Sequence, residues 1–358
     1  MDNAGLHLKV MTSTEVDMNT INNFHRGILI FAFTVVSLLI PQNSYASRYL
    51  LFAEAQGVAG YSSETEDLIY YSHHQHAVMQ KPSLGFDYIQ RLGSVSKDYA
   101  VLAVQARLAY DNTKDSNLEP QLYNAYLKLK LPYTDLWIGH NKPAMGLNSY
   151  LDNHATLTSD LSMVGFGFDR DWGTGIETDL QHWNFKLSAT TGSGMALKTD
   201  GSYLLATRVA RGDLKKENYT VGVTALKGKV LESMGYQIMH NNTKHTEAMI
   251  GFDLGYRYLN YELKADLLGG SFYHQDAYAG LLRATWYPGS EDRTAIEPQI
   301  MLYQMVGDTS RDYSVSVSHI ISPEFSVKAM YDYSQSKDAS KLVLQVYYYH
   351  NLQLFKEK

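Results

Sequence analysis

Beyond Ala46 the hydrophobic positions recur with a period of two, the signature of strands whose faces meet different surroundings. Ala100, Leu102, Val104, Ala106, Leu108 and Tyr110 share one face; Ala103, Gln105 and Arg107 share the other. Tyr123, Ala125, Leu127, Leu129 and Leu131 stand against Asn124, Tyr126, Lys128 and Lys130. The same alternation sets Trp183, Phe185, Leu187 and Ala189 against Asn184, Lys186, Ser188 and Thr190. It recurs over 250–258, 261–267 and 325–333, and no convincing helical stripe interrupts it.

Sixteen strands are expected, near residues 49–61, 84–92, 99–110, 120–131, 135–141, 171–180, 183–191, 202–211, 218–227, 246–258, 261–268, 277–287, 295–304, 311–321, 325–333 and 341–355. Fourteen is the other count the pattern allows. Alternation alone does not separate a soluble barrel from a membrane barrel. Three features favour the membrane. The strand number is even. Tight connections (Gly93 to Asp98, Pro132 to Asp135, Tyr258 to Asn260, Ser322 to Glu324) alternate with longer ones, notably Ser62 to Ser83, Asn141 to Arg170 and Gly228 to His245. Tyr and Trp gather near strand ends, as at Tyr61, Tyr110, Trp183, Tyr258 and Trp286, where an interfacial girdle would place them. The expected fold is all-β, a transmembrane antiparallel up-and-down β-barrel. Its last strand alternates Leu342, Leu344, Val346 and Tyr348 and runs on to Phe355.

Residues 1–46 read as an N-terminal extension and a cleaved signal. Ile28 to Ile40 is an apolar run of thirteen residues after His25-Arg26, followed by Ser44-Tyr45-Ala46. A spanning helix needs roughly 20 residues, and a basic flank with small residues before the cut marks an export signal. Met18 is the better start. Cleavage after Ala46 leaves residues 47–358 as a single barrel and removes three acids and two bases, taking the net charge from -6 to -5.

Composition narrows the chemistry. The absence of cysteine excludes disulfides, thiol nucleophiles and thiolate metal sites. Mild acidity with no basic tract argues against nucleic acid. The 28 tyrosines against 12 phenylalanines suit strands that run between apolar and wet surroundings.

Sixteen strands leave room for an aqueous channel. The longest connection, near 141–170, is expected to fold inward as a constriction loop carrying Lys142, Asp152, His154, Asp160, Asp169, Arg170 and Asp171. Alternation points Arg91, Arg107, Lys128, Lys130, Lys186, Arg208, Arg257, Lys264, Arg283 and Lys328 at the lumen. It does the same for Glu54, Asp87, Glu177, Asp179, Asp253, Glu262, Asp266, Glu297 and Asp332. With Asp171 the two signs balance. Basic strands two to four facing an acidic third loop and sixth strand would set up a transverse field; salt bridges that only stiffen the wall are the other reading.

Two phrases, Leu-Trp-Ile-Gly-His-Asn-Lys-Pro-Ala-Met-Gly-Leu at 136–147 and Phe-Asp-Arg-Asp-Trp-Gly-Thr-Gly-Ile at 168–176, resemble the phosphate-selective porin O and P family over Tyr126 to Gly194. Lys142, Pro143, Gly146, Arg170, Asp171 and Gly173 carry the match. The resemblance implies a sixteen-stranded trimeric porin, while the basic rows of a phosphate site are not evident. The expectation is an outer-membrane channel of a Gram-negative cell for small hydrophilic solutes or ions, anions included. It would contact outer-membrane lipid and lipopolysaccharide and need no cofactor or catalytic residue.

The alternatives are an occluded structural or adhesive barrel and a lipid hydrolase of the same membrane. The hydrolase would rest on Ser318-His319, whose side chains should leave opposite faces. His73, His74 and His76 read as a solvated loop rather than a metal site, and Asp111 to Asn117 as a polar hairpin loop.

Overall fold

The computed structural model describes residues 48–352, apart from residues 79, 94–96, 152–155, 240, 241 and 290 and the side chains of Arg48 and Asp308. Residues 1–46, read above as an export signal, and Asp152, His154 and Phe355 lie outside the described residues.

Sixteen antiparallel strands form one closed sheet: β1 (Arg48–Ser62), β2 (Ser83–Gly93), β3 (Asp98–Tyr110), β4 (Leu118–Lys130), β5 (Asp135–Asn141), β6 (Asp171–Leu180), β7 (Trp183–Thr190), β8 (Tyr203–Arg211), β9 (Tyr219–Leu231), β10 (Lys244–Tyr258), β11 (Tyr261–Phe272), β12 (Gln275–Trp286), β13 (Thr294–Met305), β14 (Asp308–Ser322), β15 (Phe325–Ser334) and β16 (Ala339–Asn351). Each strand pairs with its sequence neighbour, and β1 closes the ring on β16 from Phe52↔Asn351 to Ser62↔Lys341. Closure removes the unpaired edges that a bilayer does not tolerate. The short strand Asp67–Ile69 adds to the end of β1.

The outward face is predominantly apolar, with Leu84, Ile138, Leu187, Val223, Ile250, Leu267 and Leu344 among its exposed residues. A lipid environment is what makes such a surface stable. Exposed rings flank it: Trp183, Tyr258, Tyr261 and Trp286 at one end, Tyr61, Tyr110, Tyr203 and Tyr278 at the other. On β12 the eight residue steps from Tyr278 to Trp286 span about 26 Å of strand, roughly 20 Å once tilted, close to the apolar band of such barrels.

The two ends differ. At the turn end, connections are as short as the two residues at 181–182, 259–260 and 323–324. At the loop end, residues 63–82 (the first loop), 142–170 (the third), 191–202 (the fourth) and 232–243 (the fifth) are long. Residues 273–274 and 306–307 are two-residue hairpins on that same end. The loop asymmetry therefore belongs to the first ten strands. The expected gap from Gly228 to His245 shrinks because β9 runs on to Leu231 and β10 starts at Lys244.

One residue leaves the face its alternation assigns. Between Gln105 and Ala106 the β3–β4 register shifts, so Tyr123 is an extra residue in β4. This bulge turns Tyr123 from the expected outward face into the interior, where it is fully buried.

Candidate functional site: a loop-filled lumen

The third loop leaves β5 and runs across the barrel instead of away from it. Three backbone amides are held by wall side chains. Ala144 N donates to Ser188 Oγ on β7 (3.0 Å), Gly146 N to Thr224 Oγ1 on β9 (2.9 Å), and Leu147 N to Asp266 Oδ2 on β11 (2.9 Å). Further along, Ser159 O accepts from Arg283 on β12 and Gln299 on β13, both at 3.0 Å. Tyr150 donates to Asp213 in the 212–218 connection (3.1 Å). Gly146 permits the crossing: its φ is +38° and a Cβ there would overlap the Asp266 carboxylate.

The loop's own charges are spent on holding its shape. Lys142 donates to the carbonyls of Asn148 and Leu151, each at 2.9 Å, and lies 3.3 Å from Asp169. Asp160 caps the single 3-10 turn Leu161–Val164, accepting from Ser162 N and Met163 N. Asp169 pairs with both Lys142 and Arg170. Burial opposes its ionisation, but those two cations outweigh burial and hold its carboxyl below the usual range. Arg170 also donates to Asn124 (3.0 Å). Asp171 opens β6 and faces neither water nor the loop. It accepts from the amides of Gly192, Ser193 and Gly194, so that glycine-serine stretch acts as a carboxylate cradle.

Beneath the crossing runs a belt of buried polar groups. Arg208 on β8 and Asp253 on β10 are paired (2.9 Å), and Gly222 makes room, since a Cβ there would strike both. On the opposite wall Arg107 meets Glu54 at 3.3 Å with both side chains almost fully buried. The guanidinium carbons of Arg107 and Arg170 sit 4.6 and 4.3 Å from the Tyr123 ring centre, so that one ring makes two cation–π contacts. Alternation had hidden Tyr123, whose only signal would have been a break in the β3–β4 register. His140 is a second unanticipated residue. It follows Gly139 (φ +126°), is fully buried, and packs against Trp172 with the rings tilted 35° and their centres 4.8 Å apart.

Toward the loop end the inward wall of β8–β13 is apolar, which corrects the expectation of a hydrophilic lumen around and along the whole barrel. Leu204, Leu226, Met249, Leu268, Leu281 and Met301 of β8–β13 point inward and pack against Ala144, Met145, Leu161 and Phe166 of the third loop. Across the barrel Val58, Met330 and Val343 enclose Ile69 and Leu157. Ion pairing extends into this half at Lys81, whose ammonium reaches Asp111 (2.8 Å) and Glu119 (2.9 Å). Burial works against the Asp111 carboxylate, yet the Lys81 and Thr113 hydrogen bonds win and lower it to about 2.

Toward the turn end the inward face is charged, and many of the charges are neutralised pairwise. Lys128 meets Glu177 (2.7 Å), Lys264 meets Glu262, Arg257 meets Asp292 (2.5 Å) and Asp179 meets Lys216 (2.7 Å). Arg91 lies 3.9 Å from Asp98, and Lys328 sits over the Tyr347 ring. Asp87 accepts from Tyr349 (2.8 Å) and Glu297 from Ser316 (3.1 Å). Lys130 and Lys186 face inward on β4 and β7. Asp332 and Lys341 are 3.5 Å apart at the loop end. Such pairing fits the wall-stiffening reading better than a transverse field.

The first loop joins this assembly through His73, whose ring contacts Ser159 Oγ (3.0 Å) and Met163 O (3.2 Å). Burial, helped by Lys341, drives its pKa down to about 3, so the imidazole is neutral. Among the described residues no group of His, Asp and Glu is arranged to hold a metal. Between the first, third and fifth loops and strands β13–β16 a cavity of about 450 Å³ opens at the loop end.

A closed barrel of sixteen antiparallel strands crossed by its third loop defines a porin-type transmembrane fold. Solved structures of this kind superpose on nearly the whole barrel. OmpT, an outer membrane protein of Vibrio cholerae, matches with TM-score 0.60 at 11% identity, covering 86% of this chain and 99% of that one. The outer membrane channel DcaP of Acinetobacter baumannii gives 0.56 at 12%, covering 87% and 100%. Salmonella typhi OmpF, solved with daunomycin, gives 0.62 at 10%, covering 84% and 97%. At such identities the likeness is one of fold. No family model and no curated protein sequence matches the chain, so the phosphate-selective resemblance is carried by its porin-type fold alone.

Proposed function

We propose that the protein is an outer-membrane porin of a Gram-negative cell, exported on a cleaved signal and passing small hydrophilic solutes and ions by diffusion. One observation carries the reading: the third loop is hydrogen-bonded across the lumen to β7, β9, β11, β12 and β13. A loop so placed narrows the barrel without any catalytic arrangement. Ser318 and His319 support a non-enzymatic role, since their cross-strand partners Ala295 and Thr294 lie on opposite faces of the sheet. Pairing of the lumen charges favours weak ion preference, with anions admitted alongside cations. A homotrimer is the proposed assembly, by analogy with the trimer form in which Vibrio cholerae OmpT is described.

The apolar packing in the loop half favours one second reading, a barrel held shut by its own loops. Single-channel recording of the refolded protein in a planar bilayer, with reversal potential under a salt gradient, separates the two. Stable steps in groups of three with a reversal potential near zero support the porin. Folded, heat-modifiable protein that inserts and passes no current favours the closed barrel.

A further inference from the structure

The loop-end cavity has two unlike walls. One is polar, formed by Asp312, Ser314, Asp332, Ser334 and Lys341 on β14–β16. The other is built by the third, fourth and fifth loops with the inward face of β10, β11 and β13, and methionine dominates it: Met163, Met195, Met234, Met239, Met301 and Met305 all contribute. Unbranched thioethers adapt to varied apolar shapes and make favourable contacts with aromatic rings. Phe168 and Phe272 add flat apolar area. Charge on the lining is lopsided, with six carboxylates against three Lys and Arg side chains. Each of the three cations already has an acidic partner: Lys337 with Glu64 (2.9 Å), Lys341 with Asp332 (3.5 Å), and Arg170 with Asp169.

Glu247 completes the arrangement. It projects inward from β10, opposite Phe272 on β11, and lines the cavity while being 1% exposed. Its Oε1 has no hydrogen-bond partner among the described residues, and no cation is paired with it there. An orphaned buried carboxylate oxygen is costly unless something donates to it. An ammonium group attached to an aromatic or aliphatic body would satisfy the oxygen and lay that body on the methionine wall. The volume is within the range of small-molecule sites.

From this geometry we infer that the cavity is a binding site for amphipathic organic cations, with Glu247 receiving the ammonium and the methionine wall receiving the apolar body. The site does not depend on conduction and is tested apart from it.

The probe pair is dansylcadaverine and dansylglycine, which share a fluorophore and differ in the sign of charge. Fluorescence anisotropy is followed on the refolded full chain in detergent. Saturable binding of the cation, at least tenfold tighter than of the anion, is expected. Glu247→Gln should weaken the cation at least tenfold while barrel migration stays heat-modifiable. Met234→Lys, in the fifth loop and outside the barrel wall, should abolish cation binding and spare the anion. Equal binding of the two probes, or cation binding unchanged in both variants, overturns the inference. A channel that conducts but ignores the cation overturns this site alone; a barrel that binds the cation and passes no current overturns only the porin reading.

Discussion

The two halves of the barrel share one outward face and have opposite interiors. In the turn half the lumen wall is charged and partly wet: Lys128 and Glu177 form a 2.7 Å pair with about a fifth to a quarter of each side chain still exposed. In the loop half β8, β9, β11 and β12 turn Leu204, Leu226, Leu268 and Leu281 inward onto the third loop, above a belt in which the Arg107–Glu54 pair is almost fully buried. A membrane barrel thus holds something like a soluble protein's core inside it. The third loop is fixed by burial of apolar area as well as by hydrogen bonds to the belt.

This contrast can be broken at several points. The largest effect is expected from Glu54→Gln, which leaves the Arg107 charge buried without its carboxylate at a cost of about 3–5 kcal/mol; urea unfolding in detergent should show the loss. Phe166→Ala, in the loop-half core, should cost about 3 kcal/mol of local stability. It should appear as protease cleavage within the third loop and noisier single-channel current while the barrel stays folded.

Acidification comes next. His73 has a folded pKa of about 3 against 6.5 when exposed. The contribution it makes to the contact between the first and third loops is therefore complete above pH 6.5 and falls away as the pH drops toward 3. Lys341, Lys337 and His74 surround the ring and add to the penalty on its protonated form. Loop proteolysis should rise by up to about a hundredfold between pH 7 and pH 4.5, and His73→Gln should flatten that profile. The smallest effect belongs to the turn half: Lys128→Gln should change stability by about 1 kcal/mol or less, because the pair is partly hydrated and so partly screened.

The same contrast explains what the sequence could convey. Most of the strands are written in period two, because one face of each meets lipid and the other, over much of its length, meets charge. The signal fades where both faces are dry. On β11 the inward series Glu262, Lys264, Asp266 continues as Leu268, Gly270 and Phe272, so the alternation ends at Asp266 although the strand does not. That is why β11 and β12 run longer than the pattern foretells and meet in a two-residue hairpin. The site was harder to read. Tyr123 depends on a register slip, His140 on the bend at Gly139, and the partners of Lys142 and Asp171 on backbone amides and carbonyls that carry no side-chain signal.

The account turns on the third loop lying fixed across the lumen of the folded barrel. The chain has no cysteine, so Ala144→Cys with Ser188→Cys places one specific pair where the loop meets β7. Single-channel conductance is then recorded before and after reduction. The account predicts that the disulfide forms in the folded barrel and that conductance is the same in both states. A disulfide that does not form, or a current that appears only once it is reduced, would contradict it.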